Sequence, residues 1–282
     1  MFHMNGVPFG MNMQPQPQPP PPVEKKGGLQ IVILAGGRGK RMNNSVIPKV
    51  LYKVRGKEML LHLLEEVNRI QCDDVFIVVN EESAPLIQAV VGKSRLLVLS
   101  KVKFVLQRNV NGTGGALQCV LPHLDRPKST LVLNGDMPNV KAELMGEFVK
   151  KCMEEHSEMG LVSAVLGHPA DYGRILRKSD RSKERAFLRI VEKKDCKSIE
   201  ELETREINAG IYYFSNMVLH IYLPKINNQN SAQEYYITSI FDEVRKREDN
   251  EIVIYQIPTN MNHQILGVNT MEELAYAEKH YM

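Results

Sequence analysis

The chain has 282 residues, 43% of them hydrophobic, and a formal net charge of only +3. That supplies a sizeable core, and the balanced charge argues against a nucleic-acid partner, which needs a basic face. No apolar run approaches the ~18 residues of a membrane span, the N-terminus lacks the pattern of a secretory leader, and Cys72, Cys119, Cys152 and Cys196 form no C-x-x-C pair, so reduced thiols in a cytoplasmic protein are expected.

Residues 1–28 are rich in Met, Gln, Asn and Pro, with QPQPQPPPP at 14–22. Such a segment cannot bury a core, and a disordered or polyproline tail is expected. Globular sequence starts at Leu29 and is read as one domain to residue 282. Leu29–Leu34 (LQIVIL) reads as a buried strand and Lys57–Ile70 as an amphipathic helix. Val75–Val79 is a strand, Ala84–Val91 a helix, Val102–Leu106 a strand and Gly114–Leu121 a helix. Thr130–Leu133 and Lys141–His156 continue the alternation. This rhythm predicts an α/β domain with a mostly parallel central sheet flanked by helices. Strands follow at Met159–Leu166, Arg174–Arg177, Phe187–Val191 and Ile207–Phe214, with the basic stretch from Arg177 to Arg189 read as a solvated loop. A helix over Gln233–Arg247, a strand at Ile252–Ile257 and a helix at Met271–His280 complete the chain. The later part is read as a smaller β-rich subdomain packed on the same sheet.

Ligands of such sheets bind at the carboxyl ends of the strands. There the first strand runs into Leu34-Ala35-Gly36-Gly37, with Gly39 following. These glycines permit a tight turn and bring bare N–H groups close to a ligand. Arg38, Lys40, Arg41 and Lys49 surround the turn with positive charge, which suits a nucleoside triphosphate. A P-loop would need Ser or Thr after Gly39-Lys40, where Arg41 stands, and the dinucleotide fingerprint would need glycine at Met42. At the end of the fourth strand, Asn134-Gly135-Asp136 offers a carboxylate for Mg²⁺, or simply a turn. Asn269 offers a second oxygen, or an N-cap for the last helix. Gln107 and Asn111-Gly112-Thr113-Gly114 can read a pyrimidine edge, although Thr113 also suits a helix cap. Gly173, Glu192, Asn208 and Thr238 lie in segments that pair polar groups with glycine or aromatics, as sugar hydroxyls require; each also suits ordinary turn sequence.

The ordered set L-A-G-G-R-G-K-R-M, P-K-V-L, Q-x₄-G-T-G, N-G-D-M-P, Y-G-R-I, V-E-K-K-D, I-N-A-G-I, E-Y-Y-I-T and G-V-N resembles the sugar-phosphate nucleotidylyltransferases. Within that family it is most similar to the uridylyltransferase domain of bifunctional N-acetylglucosamine-1-phosphate uridyltransferases, over essentially everything after residue 28. The resemblance implies a Rossmann-like nucleotidyltransferase fold with a sugar-side subdomain. It implies a reaction joining UTP and N-acetylglucosamine 1-phosphate into UDP-N-acetylglucosamine and pyrophosphate. It further implies that Arg41 and Lys49 are catalytic and that Asp136 and Asn269 hold magnesium. Leu34, Ala35, Gly36, Gly37, Gln107, Gly112 and Thr113 would bind nucleotide, and Gly173, Glu192, Asn208 and Thr238 the sugar. Asn134 replaces a usual aromatic and Ser239 a usual Asp, both near the sugar. No hexapeptide repeat follows, so acetyl transfer and a β-helix trimer are not expected; a monomer or small homo-oligomer is. Glucose 1-phosphate with UTP or dTTP is the alternative chemistry, and a non-catalytic nucleotide-sugar sensor the alternative class.

Overall fold

The computed structural model describes residues 27–37, 39, 41, 42, 47–178, 187–245 and 252–281. Residues 1–26 of the tail expected over 1–28, the cations Arg38 and Lys40, most of the basic stretch after Arg177 and the expected helix end at Arg247 lie outside these residues.

In chain order, β1 (Leu29–Leu34) leads to a small hairpin of β2 (Lys53–Val54) and β3 (Lys57–Glu58), then α1 (Met59–Val67), β4 (Asp74–Val79), α2 (Ala84–Lys93) and β5 (Val102–Leu106). Next come α3 (Thr113–Val120), β6 (Ser129–Asn134), α4 (Ala142–Glu154), β7 (Met159–Val165), β8 (Arg174–Arg177) and β9 (Phe187–Val191). The rest is α5 (Ile199–Glu203), β10 (Glu206–Ser215), α6 (Asn216–Tyr222), α7 (Ser239–Arg245), β11 (Ile252–Gln256) and α8 (Met271–Lys279). No helix among the described residues is long and apolar enough to cross a membrane.

The main sheet runs β11-β7-β10-β6-β1-β4-β5. β1 pairs in parallel with β4 and β6, β4 with β5, and β7 with β11, while β10 runs antiparallel to β6 and β7. β8 and β9 branch off β10 as a side hairpin, which makes the sugar-side strands an extension of one sheet. The central parallel strands are predominantly apolar because both faces are covered. Ile31 and Ile33 of β1 point into one core with Leu63, Ile77, Leu133 and Phe148. Val32 points into the other, with Phe76, Val132, Phe214 and Phe241. Leu34 is level with Val78 and with Asn134, so the chain leaves β1, β4 and β6 at one edge of the sheet.

Two expected helices are shorter than the sequence suggested. Arg55 and Gly56 both adopt positive φ, 50° and 79°, and fold Lys57 and Glu58 back onto Lys53 and Val54, so the first helix begins at Met59. The helix expected from Gln233 begins only at Ser239. Gln233 sits at φ 54°, and the backbone of Tyr235 is engaged by the loop before α3 instead.

Candidate active site

At the carboxyl edge of the sheet lies a cavity of about 580 Å³. Leu34, Ala35, Gly36, Gly37 and Gly39 from the turn after β1 line it, with Lys49, Gln107, Gly112, Thr113 and Asp136. Every nucleotide-side residue expected from the sequence is therefore in one place. Close approach explains the glycines: a Cβ on Gly36 would lie 2.9 Å from Gln107 Oε1, and one on Gly39, at φ 58°, 2.9 Å from Lys49 Cβ. Asn80, at the end of β4, fixes the turn by donating from Nδ2 to the Gly36 carbonyl at 2.9 Å. It is 6% exposed, and a polar residue directly after a buried strand was the signal for it.

The floor of the cavity carries its charge. Lys49 Nζ donates to Asp136 Oδ2 and, at 2.8 Å, to Asn269 Oδ1. The Lys49 and Asp136 side chains are only 15% and 13% exposed, so their pairing is shielded from bulk water. The Gly267-Val268-Asn269 segment is seated on Asp136: Val268 N donates to the Asp136 carbonyl at 2.9 Å, and Gly267 N to the Tyr172 hydroxyl at 3.0 Å. Burial pushes the Tyr172 phenol up to about 12, so it stays protonated there. Asn269 does not cap the last helix; Thr270 does, in a capping box with Glu273. A carboxylate and an amide carbonyl thus converge on one cation, and that hard-oxygen pair fits Mg²⁺, which takes few protein ligands and completes its shell with water and phosphate oxygens.

Gly112, at φ 105°, is the N-cap of α3, and Thr113 is the first helical residue. The Thr113 hydroxyl oxygen accepts from Ile237 N at 3.1 Å, so it ties the start of α3 to the E-Y-Y-I-T segment and does not cap the helix. Tyr235 completes the joint by donating from N to Asn111 O at 2.8 Å and accepting from Gly114 N at 2.7 Å.

The four sugar-side residues meet beside this joint. Thr238 Oγ1 donates to Glu192 Oε1 at 3.0 Å, and a Cβ on Gly173 would sit 3.3 Å from both Glu192 oxygens. Asn208 N donates to Gly173 O at 2.9 Å, and its Nδ2 to the Tyr212 hydroxyl at 2.6 Å. Burial pushes the Glu192 carboxyl up from its ordinary value, partly offset by the Thr238 hydroxyl. Glu192, Thr238 and Ser239 line a second, polar cavity of about 430 Å³, and Lys194 lines both cavities. Lys194 lies in the V-E-K-K-D motif, which assigned it no role of its own. Asn134 faces the first cavity and packs against Gly210, which sits at φ 77° and where an added Cβ would fall 2.3 Å from Asn134 Nδ2.

Arg41 is the exception. It lies outside the first cavity, 56% exposed, with NH1 donating to Asp171 Oδ2 at 2.7 Å.

Residues 31–201 match the family described as MobA-like NTP transferase domain. A protein of Acanthamoeba polyphaga mimivirus, named "Probable UDP-N-acetylglucosamine pyrophosphorylase", is 32% identical over 251 residues, covering 89% of this chain and 95% of that protein. The bifunctional protein GlmU of Alkaliphilus metalliredigens is 36% identical over 251 residues, but the chain spans only 51% of its length. A UDP-glucose pyrophosphorylase solved with UDP-glucose superposes with a TM-score of 0.69 at 16% identity, over 89% of this chain and 97% of that one, a likeness of fold.

Proposed function

We propose that this chain, which belongs to the MobA-like NTP transferase family and is a sugar-phosphate nucleotidyltransferase, joins UTP to N-acetylglucosamine 1-phosphate and releases pyrophosphate. The observation that carries the reading is the pairing of Lys49 with Asp136 in a cavity walled by the glycine turn and Gln107, with Asn269 accepting from the same Lys49. The name of the mimivirus protein, 32% identical over 95% of its length, supports the N-acetyl sugar.

The attacking group is a phosphate oxygen that is already ionised, so no strong general base is required. An oxygen of the sugar phosphate forms a bond to the α-phosphorus. The bond to the bridging oxygen breaks, and pyrophosphate leaves with that electron pair. The chemical difficulty is to bring two anions together and stabilise charge on the α-phosphate, so positioning and electrostatics dominate. Gly36 and Gly37 let the backbone approach the phosphates. Lys49 exchanges its carboxylate partner for phosphate oxygens near the attacking group, and Arg41 stabilises charge on the triphosphate. Gln107, Gly112 and Thr113 read uracil; Gly173, Glu192, Asn208 and Thr238 hold the sugar. When bound at Asp136 and Asn269, a magnesium ion supplies charge neutralisation to the phosphate oxygens.

The test is pyrophosphate release with Mg²⁺, comparing the N-acetyl sugar with glucose 1-phosphate and UTP with dTTP, and using Asp136→Asn as control. Release with UTP and the N-acetyl sugar is expected. Preference for glucose 1-phosphate would overturn the sugar assignment. Tight UTP binding without turnover on any sugar would leave a nucleotide-sugar sensor.

A further inference from the structure

Asp171 receives two cations from distant segments of the chain. Arg41 NH1 donates to its Oδ2 and Lys193 Nζ to its Oδ1, both at 2.7 Å. Gly39, two residues before Arg41, and Lys194, next to Lys193, both line the nucleotide cavity, so the bridge spans segments that border it. Lys193 first, and then Arg41, holds the Asp171 carboxyl below its ordinary value.

The turn that presents Asp171 is firmly built. Arg174 is 2% exposed, and its guanidinium donates to the carbonyls of Pro169 at 3.4 Å, Ala170 at 3.1 Å and Tyr172. Ala170 is held at φ 45°, a left-handed conformation that the surrounding bonds must enforce. Tyr172 anchors the other side through Gly267, beside Asp136. The backbone is therefore fixed, whereas the Asp171 side chain is 63% exposed between its two cations.

We propose that Asp171 is a positioning residue that parks Arg41 outside the nucleotide cavity in the free protein and yields it to an arriving nucleoside triphosphate. This rests on the reading of Arg41 as a triphosphate-binding cation. A triphosphate carries several charges against the single charge of the carboxylate, so it competes successfully for the guanidinium. Apparent affinity is lowered by the fraction of molecules in which Arg41 is held back. An ion pair this exposed holds it back about two- to fivefold.

The experiment is calorimetric titration of Mg²⁺–UTP into the full chain as wild type, Asp171→Asn, Asp171→Glu, Arg41→Ala and the Arg41→Ala/Asp171→Asn double variant, each checked for an unchanged melting temperature. Asp171→Asn should bind UTP about two- to fivefold tighter, with the change falling on KM for UTP and not on kcat. Asp171→Glu should restore the wild-type value, and in the Arg41→Ala background the Asn substitution should change nothing. An equal gain in both backgrounds would mean a general charge effect and overturn the proposal, as would unchanged or weaker binding in Asp171→Asn. In those cases weak binding by Arg41→Ala alone would leave the role of Arg41 standing. Wild-type binding and turnover by Arg41→Ala would remove that role and the proposal together.

Discussion

Gly112→Ala tests the joint between the base-side loop and the segment from Glu234 to Thr238. Gly112 sits at φ 105° and ψ 176°, a region closed to side chains, at a cost of about 1–3 kcal/mol. The added Cβ would fall 2.5 Å from the Tyr235 carbonyl oxygen and 2.9 Å from Glu234 Cβ, so the segment must withdraw. Three hydrogen bonds cross the joint: Gly114 N to Tyr235 O at 2.7 Å, Tyr235 N to Asn111 O at 2.8 Å, and Ile237 N to Thr113 Oγ1 at 3.1 Å. Losing two of them at about 1 kcal/mol each, on top of the strain, destabilises by about 3–5 kcal/mol. For a domain of this size that lowers Tm by roughly 10 °C. Gln107 Nε2 also donates to the Gly112 carbonyl at 3.3 Å, so UTP affinity should fall with stability. Thermal unfolding and UTP titration on the same preparation read both. A variant with wild-type Tm and wild-type UTP affinity would refute the reasoning.

Arg41→Ala and Asp136→Asn should each lose about 10²–10³ in turnover while remaining folded; steady-state pyrophosphate release measures this, and near-normal turnover in either would contradict its assigned role. Glu192→Gln should stabilise at neutral pH. A raised carboxyl favours folding below its unfolded value and loses that contribution as pH rises through the folded one, so the Tm difference should open from about pH 4 upward; a constant difference would argue against the burial effect. Burial raises all four thiols, Cys152 to about 12, but Cys72 and Cys152 are buried and Cys119 and Cys196 only partly so; a disulfide reagent at pH 8 should therefore label Cys119 and Cys196 before the other two. Equal labelling of all four would contradict the packing around α4.

The parallel half of the fold was legible because its strands are short, mostly apolar runs with turn residues at their ends. Val102–Leu106 and Leu29–Leu34 match residue for residue. The hairpin before α1 was not, since Val54-Arg55-Gly56-Lys57 gives no alternation long enough to outweigh the helical pattern that follows. Gln233–Thr238 was misread for a related reason. Its backbone conformation is set by partners on the loop near Gly112, far away in sequence, and local propensity carries no record of them. At the site, the glycine turn, Lys49, Asp136 and Asn269 could be placed together because they sit at motif positions. What the motifs could not convey was that Lys49 rests between the Asp136 carboxylate and the Asn269 amide and that Arg41 is turned toward Asp171. Those are choices among side-chain partners, decided by which opposite charges the fold leaves within reach.

β10 lies between β6, which ends two residues before Asp136, and β7, and it also pairs with β8 of the side hairpin. A hinge between a nucleotide half and a sugar half would have to shear this ladder, breaking several buried backbone bonds at once. Adaptation to substrates is therefore confined to side chains and to connections above the sheet edge. The radius of gyration should be the same with and without ligands, while amides of β10 should be among the slowest in the chain to exchange with solvent.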